Sequence, residues 1–195
     1  MNSIKKGDSF ENEVYNHLKK ELEDDRLHVA GQRSIIFSKK GYYSRDRERN
    51  IITDISIETF LPDATDYSLL TVVECKDYDG TIPVDDIEEF YSKVAQISGA
   101  NIKAIFATKS AFQKSALTFA KSKKIGVIRY LPSDQMKWLT HSVTIGNINK
   151  KLYRSEFNSA FINQTHISYE RDFFACDDTS IYGSLFSILS RFINI

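Results

Sequence analysis

The chain has 195 residues, 26 Lys and Arg against 26 Asp and Glu for a net charge of zero, and a 42% hydrophobic share. That balance suits one soluble domain with a substantial core, or one domain with an appendage, and gives no global basic field that would announce a nucleic-acid partner. No apolar run reaches membrane-spanning length, the opening MNSIKKGDSF lacks the apolar stretch of a secretory signal, and Cys75 and Cys176 make neither a disulfide framework nor a zinc site, so a cytoplasmic location is expected.

The first expected element is a helix from about Ser9 to Glu23, capped by Asp8 or Ser9. At ~100° per residue, Phe10, Val14, Leu18 and Leu22 form one stripe. Glu11 falls inside that stripe and Glu13 outside it. A carboxylate turned towards a core needs a partner. LHVAGQRSIIFS then reads as a strand leading into a basic loop around Gly41. NIITDISIETF alternates as a strand, with Ile51, Thr53, Ile55 and Ile57 on one face and Ile52, Asp54 and Ser56 on the other. Asp54 is thus expected in the middle of an Ile-rich strand; capping a bend, or pairing with an arginine of RDRER, is the alternative reading of it.

LLTVVECK follows after a short turn, so it is expected to lie antiparallel to the preceding strand, with Asp54 and Glu74 side by side. The run is apolar enough to be buried on both faces. Glu74 and Lys76 point the same way at its end, where charges are costly unless paired, hydrated or bound to an ion. A plain surface ion pair is the alternative there. A helix from about Val84 to Ser98 has Val84, Ile87, Tyr91 and Val94 as its stripe. Its Gln96 is expected at the surface. NIKAIFAT is a short buried strand. SAFQKSALTFAKSKK is a helix with Phe112, Leu117 and Ala120 towards the core, and IGVIRYL is a further strand. Alternating strands and helices from Leu69 to Tyr130 make an α/β pattern with parallel crossovers. Beyond 131 the alternation fades. Residues 131–195 are expected to form an appendage that ends in a helix over SIYGSLFSILSRFINI. The four histidines show no metal spacing.

Charge is unevenly placed. Lys39 to Arg49 holds five basic residues against two acidic ones, Lys109 to Lys124 holds five lysines and no acid, and Glu74 to Phe90 holds seven acids and one lysine. Basic rims around an acidic centre suit a site that grips phosphates and binds a cation. Solvated surfaces are the alternative for each block.

Glu11 with Phe10 and Gly7 on the first helix, Asp54 on one strand, Glu74-x-Lys76 on the next, and the strand–helix–strand tail IFATKSAFQKSALTFAKSKKIGVI occur in an order that resembles the restriction-endonuclease-like PD-(D/E)xK nucleases. Within that superfamily the likeness is closest to the Mrr-type restriction endonucleases. It covers about residues 7–130. Thr53 stands where the motif's name has proline. The resemblance implies an α/β fold with a mixed central sheet flanked by helices, here with a C-terminal appendage. It also implies a DNA endonuclease acting in defence against foreign DNA.

The chemistry of phosphodiester hydrolysis fits the same residues. Mg²⁺, with Mn²⁺ able to substitute, takes hard oxygen ligands and keeps several waters. Asp54 and Glu74 offer carboxylates and Cys75 its backbone carbonyl. Lys76 would stand beside the attacking water or stabilise the crowded phosphate. Glu11 has three open roles: second metal, metal water, or orienting Lys76. A structural buried acid is the alternative reading of it. Lys39, Lys40, Arg45, Arg47, Arg49 and Lys114 are candidate contacts to double-stranded DNA, as are Lys121, Lys123 and Lys124, with Tyr42 and Tyr43 as candidate stacking groups. A homodimer would place one site on each DNA strand, with the final helix as a contact. A non-catalytic binding module on the same fold and a structure-specific repair nuclease stand as alternatives.

Overall fold

A computed structural model describes residues 3–24, 32–77, 79–97, 101–131, 150–168, 173–177 and 180–182. Seven strands form one mixed sheet, β1 (Ser34–Ser38), β4 (Ile55–Phe60), β5 (Tyr67–Lys76), β6 (Asn101–Thr108), β7 (Gly126–Tyr130), β8 (Phe173–Cys176) and β9 (Ile181–Tyr182), side by side in that order. β5, β6 and β7 run parallel, and the neighbours on both sides are antiparallel. The parallel pairs are joined by α2 (Val84–Ala95) and α3 (Lys114–Ser122), because strands pointing the same way need a crossover rather than a hairpin. β5 is buried on both faces along most of its length, as its continuous apolar run implies.

Helix α1 (Ser3–Glu23) covers one face. Its Phe10, Val14, Leu18 and Leu22 pack on Ile55, Ile57, Val73, Cys75 and Ile105. The helix starts at Ser3 rather than at Ser9, so Asp8 lies within it and its carbonyl accepts from the Asn12 amide at 2.9 Å. A capping residue states a preference of about 1 kcal/mol, which continued helix can outweigh. The opposite face is covered by α2, α3 and α4 (Lys150–Ile162). On α2 the buried stripe is Ile87, Phe90 and Val94, while Tyr91 is 38% exposed. Tyr91 lies at the margin, edge-on to Phe119 of α3 at 6.0 Å. Phe112 is buried but precedes α3, and its N–H donates to the Phe161 carbonyl at 2.7 Å.

The largest departure from the sequence reading concerns residues 34–60. The expected strand over NIITDISIETF is two strands, β3 (Arg49–Ile52) and β4, with Thr53 and Asp54 between them. β2 (Gly41–Ser44) pairs with β3 in a separate ribbon, while β1 pairs with β4 in the main sheet. The register passes unchanged from Ser38 facing Ile55 to Gly41 facing Ile52. The segment is therefore one long hairpin with a corner at Lys39–Lys40 and Thr53–Asp54. Lys39 takes the left-handed conformation (φ 52°) that turns the corner. Corner hydrogen bonds run from Lys39 N–H to the Asp54 carbonyl (2.9 Å) and from Thr53 N–H to the Lys40 carbonyl (3.0 Å). Alternation persists through such a corner, which is why the sequence reads as one strand.

The described residues beyond 131 do not stand apart from the sheet. β8 pairs with β7, and Phe157, Ala160, Phe161 and Phe174 enter the core. β8 and β9 span only four and two residues, too short for a period to announce them. The expected final helix begins instead with strand β9; its remainder lies outside the described residues, as do 25–31, His28 and His141.

His166 sits in this added layer, buried edge-on to Phe174 at 5.6 Å, with Nδ1 3.1 Å from the Ser159 hydroxyl. Burial holds its pKa below the ordinary histidine value. Above pH ~6.5 the ring is neutral folded and unfolded; below it the unfolded chain takes up the proton first. Stability is therefore expected to fall as pH drops from ~6.5 towards the lowered native value. Urea titrations at steps from pH 7.5 to 5 should show this, with His166→Gln flattening the acid limb. An identical limb in the variant would remove His166 from the effect.

Candidate metal and nucleic-acid site

The corner of the hairpin meets the C-terminal end of β5. Ile55 faces Val73, so the next residues outward are Asp54 on one strand and Glu74 on the other. β4 has ended there, and the Asp54 side chain takes the place of the missing strand partner: its Oδ2 accepts from the Cys75 N–H at 2.9 Å. Sequence reasoning placed Asp54 in mid-strand; its position in the break is what frees its carboxylate to cap the ladder.

Asp54 Oδ1 accepts from the Lys39 ammonium at 2.8 Å, and the same Nζ lies 2.5 Å from Glu11 Oε2. Lys39 thus joins α1 to the hairpin corner. Partial burial works to lower its pKa, but the hydrogen bonds and charges of Asp54 and Glu11 outweigh this and hold it above the ordinary lysine value. Glu11 is the half-inward acid expected of α1. Glu13, expected outside the stripe, pairs with Lys109 at 2.6 Å.

Glu74 is 6% exposed and faces α2. Both of its oxygens accept from Lys93 Nζ, at 2.8 and 3.0 Å. Lys76 stands farther off, 3.8 Å from Oε1. Burial raises the Glu74 pKa first, the Asp54 charge raises it further, and Lys93 and Lys76 oppose both. Sequence reasoning missed Lys93. Its signal was available: one helical turn after Phe90 and beside Val94, it is a charge on the edge of the buried stripe.

Cys75 turns its thiol into the α1 core, and burial, followed by Asp54, Glu11 and Glu74, pushes its pKa well up. Among the described residues, no three His, Cys, Asp or Glu side chains form a group able to hold a metal ion unaided. Two hard carboxylates next to one another at the ends of neighbouring strands do suit Mg²⁺ or Mn²⁺, which complete their shells with water and substrate oxygens. The donor chemistry therefore fits such an ion.

The candidate DNA contacts divide. Lys39 is held by the acids. Lys40 lies 2.6 Å from the buried Glu58 and 3.6 Å above the Phe37 ring. Tyr42 is buried, with its hydroxyl 2.9 Å from Glu58, so it is no stacking platform; Tyr43 is 54% exposed. Arg45 and Arg49 are exposed at the hairpin tip, whereas Arg47 Nε donates to Gln96 at 2.7 Å. Gln96, expected as plain surface, thereby ties the tip to α2. Lys114 opens α3 at the edge where the parallel strands end. Lys121, Lys123 and Lys124 close that helix, so the crossover carries them to the opposite edge, away from Glu74. A cavity of about 370 Å³ between α3, α4 and β9 shares no residue with this site.

A profile of the Mrr_cat family, described as restriction endonuclease, matches residues 34–131, half of the chain. That span contains Asp54, Glu74 and Lys76 but not Glu11. No curated protein matches. A solved structure titled as a protein of unknown function, AF1548, is 12% identical, with a TM-score of 0.40 over 74% of this chain and 78% of its own. Among the described residues, no helix is long and apolar enough to cross a membrane. The chain belongs to the Mrr catalytic-domain family of restriction endonucleases.

Proposed function

We propose that this nuclease is a divalent-cation-dependent DNA endonuclease of restriction or defence. The observation that carries the reading is that Asp54 and Glu74 come next to one another where β4 ends beside β5, with Lys76 3.8 Å from Glu74. Asp54 and Glu74 would hold Mg²⁺ or Mn²⁺, and the Cys75 carbonyl would complete the protein ligands. When bound, such an ion neutralises phosphate charge and acidifies water.

The chain's own groups do the rest. Lys93 fixes the orientation of Glu74, and the Cys75 amide fixes that of Asp54. Lys76, not committed to a short contact with Glu74, places its ammonium where charge grows on the phosphate. Arg45, Arg49 and Lys114 meet the DNA backbone, which affects affinity and salt dependence rather than sequence choice, and the exposed Tyr43 stacks on bases. A homodimer would cut both strands with one site per chain.

The test is plasmid cleavage with Mg²⁺ by wild type and Lys76→Ala, on methylated and unmethylated DNA. The variant is expected to bind DNA normally and cleave about 10²-fold more slowly. Equal cleavage would remove Lys76 from the mechanism. Tight DNA binding by the wild type with no Mg²⁺-dependent nicking would make the chain a binding module instead.

A further inference from the structure

Two carboxylates of the site are bridged by an ammonium that belongs to neither the Glu74-x-Lys76 motif nor the DNA-facing surface. Lys39 lies 2.5 Å from Glu11 and 2.8 Å from Asp54, carboxylates carried by different elements. Its position is fixed twice: its side chain spans the two acids, and its backbone donates to the Asp54 carbonyl. Its left-handed conformation is uncommon for a residue with a side chain, and such conformations persist where surrounding contacts over-determine them.

We propose that Lys39 is a built-in counter-cation, which holds Glu11 and Asp54 together before a divalent ion arrives and competes with that ion for Asp54. The inference rests on the metal-dependent reading above and goes beyond it by assigning the residue that sets the affinity for metal. Without Lys39, Glu11 and Asp54 would be two negative charges facing one another across the corner. With it, one ammonium is shared by both acids and the corner carries a net charge of −1 instead of −2.

An entering divalent cation meets a positive charge already seated on Asp54 Oδ1. Either the ammonium withdraws or the two cations repel at close range, and both cases weaken metal binding. Lys39 is able to withdraw, since its side chain is 49% exposed, against 20% for Lys93. The two lysines therefore differ in kind: Lys93 is enclosed between α2 and Glu74 and stays, whereas Lys39 sits at the rim.

The experiment is calorimetric titration of Mg²⁺ and of Mn²⁺ into the full chain without DNA, for wild type, Lys39→Met, Lys39→Arg, Lys39→Gly and Asp54→Asn. Lys39→Met is expected to bind about tenfold tighter or more, since a neighbouring like charge has gone. Lys39→Gly should do the same, and its backbone accepts the left-handed turn without strain, which guards against a folding artefact. Lys39→Arg keeps the charge and should stay near wild type. Unchanged or weaker binding in both neutral variants, with Asp54→Asn still abolishing the wild-type signal, would overturn the counter-cation while leaving the metal site standing. No binding by any variant would overturn both.

Discussion

Asp54→Asn is expected to abolish Mg²⁺-dependent DNA cleavage, by about 10³-fold or more, while leaving the fold intact. The substitution is nearly isosteric. An asparagine oxygen still accepts the Cys75 N–H that the carboxylate accepts at 2.9 Å, so the cap on the β5 ladder survives. What disappears is the charge, and with it the coupling to Glu74. Glu74 then loses the Asp54 contribution that helps to raise its pKa, so its carboxyl ionises more readily than in the wild type. The neighbouring cation partners are unbalanced as well: Lys39 keeps only Glu11. Single-turnover cleavage, with circular dichroism and urea midpoints as controls for folding, checks this. Cleavage within about tenfold of wild type by a folded Asp54→Asn protein would place the chemistry elsewhere.

Arg129→Met is expected to destabilise the protein by about 3 kcal/mol or more, the largest stability loss anticipated for one side chain here. Arg129 lies on β7 and is fully buried. Its guanidinium donates to the carbonyls of Ala160, Asn163 (2.7 Å) and Gln164 (3.3 Å) around the end of α4, and its Nε to that of Lys109 (3.3 Å). The C-terminal end of a helix carries partial negative charge and unpaired carbonyls, so a cation there satisfies both. Burial lowers its pKa to about 10, which still leaves it charged at neutral pH. Methionine fills similar volume and leaves those carbonyls dry. Lys109, whose carbonyl Arg129 holds, also pairs through its side chain with Glu13 of α1 at 2.6 Å. Urea unfolding at pH 7.5 gives the measurement. A loss below about 1 kcal/mol would mean that α4 docks without Arg129.

The charges of the candidate site are paired within the fold. Three acids, Glu11, Asp54 and Glu74, stand beside three lysines, Lys39, Lys76 and Lys93. Each acid has a short contact to an ammonium, and the motif lysine is the one left at the longest distance, 3.8 Å. The partners from outside the motif are thus the structural ones.

The sequence by itself determined the element types between Leu69 and Tyr130, the inward stripe of α1 and the order Asp54, Glu74, Lys76, because helical and strand periodicity and local spacing are properties of neighbouring residues. It did not determine the corner in the hairpin, since the alternation of Ile51, Thr53, Ile55 and Ile57 is the same whether the ribbon runs straight or bends at Asp54. Nor did it reveal that β8 and β9 extend the sheet beyond β7, for a four-residue β8 has too little length to show a period. Which ammonium sits on which carboxylate was decided only by tertiary structure. Lys39 lies 15 residues before Asp54 and Lys93 lies 19 after Glu74, and such pairs meet only when the corner folds back and α2 packs against β5.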